Sequence, residues 1–283
     1  MKLIDGKLIS AQIKEEAKQE VEQLKVQGVT PCLAVILVGE NSASKVYVNN
    51  KKKACEAVGI TSVAYELDKD TKEEELLALI VKLNMDDSIN GILVQLPLPE
   101  HIKEDHIICA IDPQKDVDCF HPMNVGLFHT GGDGFLPCTP AGIIELIQRS
   151  GYSISGKQCV VIGRSNIVGK PVAMLLMKEN GTVTVCHSRT RNLAEVCKAA
   201  DIIVCAAGKV NLLTADMVND HAIVIDVGMN RNDAGKLCGD ADFDGIKDIV
   251  EAITPVPGGV GPMTIAMLMK NCVAAAKAQH YKK

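Results

Sequence analysis

Val160-Val161-Ile162-Gly163-Arg164-Ser165-Asn166-Ile167-Val168-Gly169-Lys170-Pro171 is an apolar run that breaks into a glycine-bounded polar turn and resumes with helix formers. A buried strand entering a tight turn and then a helix is the first βα unit of a dinucleotide-binding sheet. There the turn aims main-chain N–H groups and a helix N-terminus at a pyrophosphate. The spacing departs from G-x-G-x-x-G, since Ser165 takes the place of the second glycine and the next glycine falls at 169. Taken alone, the stretch also fits a ligand-free βα turn. The following strand tips the balance. About 20 positions past the first glycine, where an acidic residue would hold the ribose 2′-hydroxyl of NAD, the chain reads Cys186-His187-Ser188-Arg189-Thr190. A hydroxyl and a cation there, with Arg164 in the turn, complement a 2′-phosphate, so NADP is expected over NAD. The alternative is that Arg189 and Arg191 are solvated loop charges.

Outward from this stretch, short Val/Ile/Leu runs alternate with segments of helical period, the pattern of parallel strands with crossover helices. Strands are expected at Gln158–Ile162, Thr182–Cys186, Ile202–Cys205 and Ile223–Val227, making the second half a Rossmann-like, doubly wound parallel sheet. The first half repeats the alternation, with strand Leu33–Val38, helix Ser42–Val58, strand Ile60–Leu67 and strand Gly91–Gln95. Thr71 with Glu74 has the form of a capping box opening a helix to Leu83. Residues 112–138 lose period and gather Asp, Gly, Pro and His, as a functional loop or interdomain connection would. Thr139-Pro140 reads as an N-cap and N1 pair, and a last helix is expected from Pro262 to Gln279. The fold class is therefore α/β, with two domains flanking a cleft: residues 1–139 plus 264–283 forming one, residues 140–263 the other.

Composition narrows the chemistry. A net charge of -5 gives no general attraction to nucleic acid or to anionic membranes. Aromatic residues make up 3% of the chain with no Trp, which argues against base-stacking platforms. The eleven Cys lie in apolar surroundings without the short spacing of zinc-ligand pairs, and the seven His show no H-E-x-x-H pattern. Reduced, mostly buried thiols, no metal, no membrane segment and a cytoplasmic location are the expectations.

In the first half, Ser44, Tyr47 and Lys51 share a helix face within an arc of about 60°. A run of Lys51-Lys52-Lys53 is by itself best read as a solvated basic face, but Tyr47 on the same face weakens that reading. A Tyr-x-x-x-Lys pair belongs after the dinucleotide turn in short-chain dehydrogenases, whereas here it precedes Gly163, so the lysine must serve another arrangement. Gln95 is a polar residue at the C-terminal end of an apolar strand, where open α/β sheets bind ligands. Lys115-Asp116-Val117-Asp118 and the Pro/Gly-rich stretch from Thr254 to Thr264 supply two further loops that are hard to read as mere connectors.

On Tyr47-Val48-Asn49-Asn50-Lys51, Val94-Gln95-Leu96-Pro97-Leu98-Pro99, Lys115-Asp116-Val117-Asp118, Gly163 to Pro171 and Pro255 to Thr264, in that order, the chain resembles the bifunctional methylenetetrahydrofolate dehydrogenase/methenyltetrahydrofolate cyclohydrolase family, essentially end to end. The resemblance implies oxidation of 5,10-methylenetetrahydrofolate with NADP, then hydrolysis of the methenyl product to 10-formyltetrahydrofolate. It implies Lys51, Tyr47, Gln95 and Asp118 as the catalytic set, with Asp118 accepting from the pterin. Val94, Leu96 and the loop Pro257, Gly258, Gly259, Val260, Gly261, Pro262, Met263, Thr264 and Ile265 would also meet the folate. Gly163, Arg164, Ser165, Ser188 and Met229 match cofactor-contacting positions, and tetrahydrofolate derivatives and a second copy of the chain are the implied partners. Whether Lys51 acts as a base or stays protonated and polarises the reacting group is left open. Cys119 departs from the family, which usually has Gly after Asp118; positive φ there would strain a cysteine.

Three rivals remain: the same dehydrogenase with weak or absent cyclohydrolase activity, a dehydrogenase of another small metabolite, and a silent nucleotide-sensing scaffold. The second lacks an arginine clamp for a small carboxylate, and the third would have lost Lys51, Gln95 or Asp118.

Overall fold

The structure, a computed structural model, describes residues 2–281. After strand β1 (Lys2–Leu3) and helix α1 (Gly6–Val26), Cys32–Val38 forms strand β2. Every residue of β2 is buried, as a strand covered on both faces requires, and this is why its sequence runs apolar without alternation. Helix α2 (Ser42–Val58), strand β3 (Thr61–Leu67), helix α3 (Glu73–Asn84) and strand β4 (Gly91–Val94) follow. The three long strands form a parallel sheet in the order β3-β2-β4. Ile36, Val38, Leu76, Ile80, Leu83, Ile92 and Val94 share its core with Ile102, Ile107 and Ile111.

Two sequence expectations are corrected here. The Thr71/Glu74 capping box does not form: α3 is capped at Lys72 without a side-chain bond. Its first turn instead carries Glu73, Glu74 and Glu75, whose charge suits the helix dipole, and the Glu73 carboxylate accepts from the Lys103 main-chain N–H at 2.7 Å. Residues 112–138 are not simply loop, because after helix α4 (Glu104–Ala110) they contain helix α5 (Pro122–His129). Pro122 opens that helix and the His121 ring accepts from Met123 N–H, so two local signals nucleate a segment too short to show a period.

Helix α6 (Cys138–Arg149) starts one residue before the Thr139-Pro140 pair and is capped by Pro137. Strand β5 (Gln158–Ile162), helix α7 (Gly169–Lys178), strand β6 (Thr182–Cys186), helix α8 (Leu193–Lys198), and strands β7 (Ile202–Cys205) and β8 (Ile223–Asp226) then repeat the βα pattern. A hairpin, β9 (Asn230–Arg231) with β10 (Leu237–Cys238), and helix α9 (Phe243–Ile246) lead to strand β11 (Ala252–Ile253) and the long helix α10 (Val260–His280). The six-stranded sheet has the order β1-β11-β8-β7-β5-β6, with every pairing parallel. Strand β5 lies between β6 and β7, so the chain leaves it first to one side and then crosses to the other. That reversal is a topological switch point, and the carboxyl end of β5 is where such a sheet opens a crevice.

The chain divides into two compact units, Met1–Ala11 with Pro137–Thr264, and Gln12–Leu136 with Ile265–Lys283. The expected assignment of the first residues to the three-strand unit is thereby corrected. Lys2 and Leu3 pair with Ala252 and Ile253, and this long-range pairing has no signature in a two-residue strand. Among the described residues, no helix is long and apolar enough to cross a membrane.

Candidate active site

In the three-strand unit, Asn41 accepts from Ser44 N–H at 3.1 Å and so starts α2, placing Tyr47 and Lys51 two turns along one face. Lys51 is half-buried where Lys52 and Lys53 are exposed, which separates it from a solvated triplet. Its Nζ donates to Gln95 Oε1 at 3.0 Å, and Gln95 Nε2 donates to its neighbour Leu96 O at 2.7 Å. Gln95 N–H still bonds Ile36 O at 2.8 Å, so the residue that receives the lysine is anchored to the central strand. Tyr47 is 38% exposed, and partial burial pushes its phenol up.

Val94, Leu96 and Asp118 line one pocket with Ile111 and Phe120. The loop carrying Asp118 is built from polar pairings. Asp116 accepts from His121 N–H and from Asn124 Nδ2, each at 2.8 Å, while Asn271 Nδ2 on α10 reaches Val117 O at 2.8 Å and Leu136 O at 2.9 Å. Lys115, despite its place in the motif, donates to Leu83 O and Asp86 O and so ties off the end of α3. The buried Cys272 thiol on α10 is pushed well up, above all by burial.

Cys119 has φ of 60°, the conformation that its departure from glycine put in question. It is buried, and its Sγ donates to Phe135 O at 3.1 Å; burial, with Asp116 and Asp118 nearby, pushes the thiol up to about 12. Left-handed backbone costs a cysteine roughly 1–2 kcal/mol, and loss of the buried side chain with its hydrogen bond costs a similar amount. Cys119→Gly is therefore expected to leave the unfolding midpoint within a few degrees and the folate KM within about threefold. Much tighter folate binding in thermal-shift and steady-state measurements would contradict this balance.

In the six-strand unit, Gly163 has φ of 131° and a methyl group there would overlap the Ala206 carbonyl. Gly169 packs as closely on Gly163 itself. The expected row of open helix N–H donors is not found. Ser165 Oγ accepts from Val168 and Gly169 N–H, both at 3.2 Å, Ser165 O accepts from Lys170 N–H, and Pro171 has no N–H. A serine in place of the second glycine closes the turn on itself. The exposed side chains around this sheet edge are Arg164 and Ser165 in the turn and Ser188 and Arg189 after β6. His187 N–H bonds Thr190 Oγ1 at 2.8 Å and Arg189 N–H bonds His187 Nδ1 at 3.1 Å, so this second turn is self-supporting too. Met229 is half-exposed after β8.

Of the stretch from Pro257 to Ile265, only Pro257 to Gly259 lies outside a helix; the last helix, expected from Pro262, opens two residues earlier at Val260, with Pro262 tolerated in its first turn. A Cβ on Gly259 would come within 2.7 Å of Pro255 O and of Thr254 Cβ, so the turn closes only with glycine there. Pro257 to Thr264 belong to the six-strand unit, whereas Tyr47, Lys51, Val94, Gln95, Leu96, Asp118 and Ile265 belong to the three-strand unit.

Sequence reasoning missed a pair of buried aspartates at the carboxyl edge of the larger sheet. Asp226 accepts from Gly228, Asp240 and Ala241 N–H, each at 2.9 Å. Burial pushes Asp226 up to about 6; the three N–H donors oppose this and Asp240 adds to it. An acid raised above its unfolded value of about 3.9 is held more tightly as the protonated form in the folded state. Its contribution is therefore greatest below about pH 4 and is lost as pH rises to about 6, on the order of 3 kcal/mol. Asp226→Asn should flatten this part of the stability profile in denaturation at pH 4.5 and 7, and an unchanged profile would exclude Asp226 as its source.

Two family profiles match the chain: the tetrahydrofolate dehydrogenase/cyclohydrolase catalytic domain over residues 4–118 and the NAD(P)-binding domain of the same family over residues 137–280. A bifunctional protein FolD of Agathobacter rectalis is 63% identical over 275 residues, covering 97% of this chain and 99% of that protein. The crystal structure of a bifunctional FolD dehydrogenase/cyclohydrolase from Campylobacter jejuni superposes with a TM-score of 0.96 at 53% identity, covering 98% of this chain and 99% of that one. A Trypanosoma brucei methylenetetrahydrofolate dehydrogenase-cyclohydrolase complexed with NADP and an inhibitor gives 0.92 at 39% identity, covering 98% and 97%. With both profiles, full-length identity and a shared fold in agreement, the chain belongs to the tetrahydrofolate dehydrogenase/cyclohydrolase family.

Proposed function

We propose that this protein oxidises 5,10-methylenetetrahydrofolate to 5,10-methenyltetrahydrofolate with NADP and hydrolyses the product to 10-formyltetrahydrofolate. The observation that carries the reading is the half-buried Lys51 held at 3.0 Å by a strand-anchored Gln95, within a chain of this family. NADP, when bound, accepts the hydride that leaves the methylene bridge. Its fit is supported by the donor set at the switch point: Arg164, Ser165, Ser188 and Arg189 present cations and hydroxyls, and Cys186 to Thr190 offers no carboxylate to a free ribose diol.

In the hydrolytic step, water adds to the carbon of the cationic methenyl bridge and one C–N bond of the adduct breaks; the water oxygen becomes the formyl oxygen, one of its protons ends on the released nitrogen and the other leaves to solvent. Lys51 is suited to polarise the water or to shuttle that proton, because Gln95 Oε1 fixes the direction of one of its N–H bonds. Asp118, with two acceptor oxygens in an otherwise largely apolar pocket, suits the amino and N–H groups of a pterin. Tyr47 offers an aromatic face beside Lys51 on α2. A cytoplasmic location is supported by eleven cysteines that are all free thiols, and a homodimer by family membership. The net charge of -5 supports partners other than nucleic acid or anionic membranes.

The test is purified protein with 5,10-methylenetetrahydrofolate and NADP or NAD, followed by reduced-nicotinamide absorbance, with methenyl decay measured separately. Reduction of NADP in preference to NAD, together with accelerated methenyl decay, is expected. No reduction with either nucleotide would refute the dehydrogenase, and methenyl decay at the uncatalysed rate would leave a dehydrogenase alone.

A further inference from the structure

The chain places a second carboxylate, Asp240, at the carboxyl edge of the six-strand sheet, and its surroundings are those of a bound anion. Asp240 has no exposed surface. Its Oδ2 accepts from Ala207 N–H at 2.6 Å and Gly208 N–H at 2.9 Å; its Oδ1 accepts from Lys209 N–H at 2.9 Å and Asn230 Nδ2 at 2.8 Å. Three successive main-chain N–H groups converging on one negative group make a nest, an arrangement that elsewhere cradles phosphates. Here the chain's own side chain fills it.

That nest belongs to the turn leaving β7, which begins at Ala206, the residue whose carbonyl leaves no room for a side chain at Gly163. Ala206 N–H bonds Ile162 O at 2.8 Å, so the turn and the Gly163 turn are laced edge to edge. On its other side Asp240 holds Asn230, while Asp226 holds Gly228, so Met229 sits between two residues fixed by the two aspartates. A Cβ on Gly228 would overlap Asp240, which shows how closely the two loops approach.

We propose that Asp240 is a positioning residue for the nucleotide: by filling the Ala207–Lys209 nest it sets the turn beside Gly163 and the loop bearing Met229. The inference rests on the reading of Gly163 and Met229 as nucleotide contacts. Asp240 acts through those neighbours and has no part in folate chemistry.

Asp240→Asn tests it with almost no change of volume. Whichever way the amide turns, its NH2 faces two N–H donors, Ala207 with Gly208 or Lys209 with Asn230. The Kd for NADP by calorimetry and the KM for NADP are expected to rise about tenfold or more, the loss of one or two buried charge-assisted bonds. kcat at saturating NADP and nucleotide-free methenyl hydrolysis are expected to stay within about twofold, a split that general destabilisation does not produce. An unchanged Kd, or Kd, kcat and hydrolysis deteriorating together, overturns the proposal. Should the asparagine variant fail to fold, Asn230→Ala, which removes a single donor, decides: a severalfold rise in Kd supports the proposal and no change overturns it. Absence of NADP binding by the wild-type protein would overturn the functional reading and this inference with it. Wild-type binding with an unaffected variant overturns the inference alone.

Discussion

Replacement of Lys51 by methionine is expected to lower methenyl hydrolysis by about a thousandfold, the range over which a positioned acid or base acts. Methionine keeps an unbranched apolar stem, so the packing of α2 is retained, and the half-buried position holds no interior charge whose loss would leave a void. What is removed is the N–H donor 3.0 Å from Gln95 Oε1. Gln95 keeps its bond to Leu96 O and its main-chain bond to Ile36 O, so the strand end stays in place and the thermal midpoint should move by only a few degrees. Binding of NADP should be unchanged, because Lys51 lies in the three-strand unit and the cofactor-matching residues lie in the other. Hydrolysis within tenfold of wild type would show that Lys51 is not the group that handles the proton.

The opposite pattern is expected of Gly163→Ala. A φ of 131° belongs to a region that alanine enters only with strain of order 1–3 kcal/mol. The added methyl would also overlap the Ala206 carbonyl, main chain that is itself bonded to Ile162, so relief requires the two turns to part. Together the effects are expected to cost about 3–4 kcal/mol in the six-strand unit and to abolish NADP binding measurably by calorimetry. Methenyl hydrolysis without nucleotide should survive at temperatures where the three-strand unit stays folded. Wild-type KM for NADP in this variant would mean that the Gly163 turn does not face the nucleotide.

The two expectations separate because the residues proposed for each role lie in different units, and that placement was readable in part. Strands Gln158–Ile162, Thr182–Cys186 and Ile202–Cys205 coincide with the apolar runs read from the sequence, and helix Ser42–Val58 with its helical stretch. Gln158–Ile162 and Ile202–Cys205 are interior parallel strands, which must be apolar on both faces, so the run itself marks them, whereas Thr182–Cys186 is the mostly exposed edge strand and shows Val alternating with Thr. Motif residues were legible one at a time, but their partners were not. Gln95 lies 44 positions from Lys51, and Asn271 lies 154 from Val117. No periodicity links residues so far apart, and an asparagine in an apolar helix announces nothing until the carbonyls it reaches are in place.

The amino-acid sequence by itself determined the alternation of strand and helix, the glycine-bounded turn at Gly163, the absence of an acidic residue from Cys186 to Thr190, and the lysine face of α2. These are local: each follows from a run of side chains whose burial or backbone freedom is set within a few residues. Only the tertiary structure decided that Lys2 and Leu3 complete the larger sheet, that Ser165 consumes the helix N–H groups, and that the last helix opens as early as Val260. It alone decided that Asp226 and Asp240 fasten three loops to one sheet edge. Those outcomes depend on hydrogen-bond donors left over after the strands have paired, and a buried donor takes whichever acceptor the folded chain brings within reach.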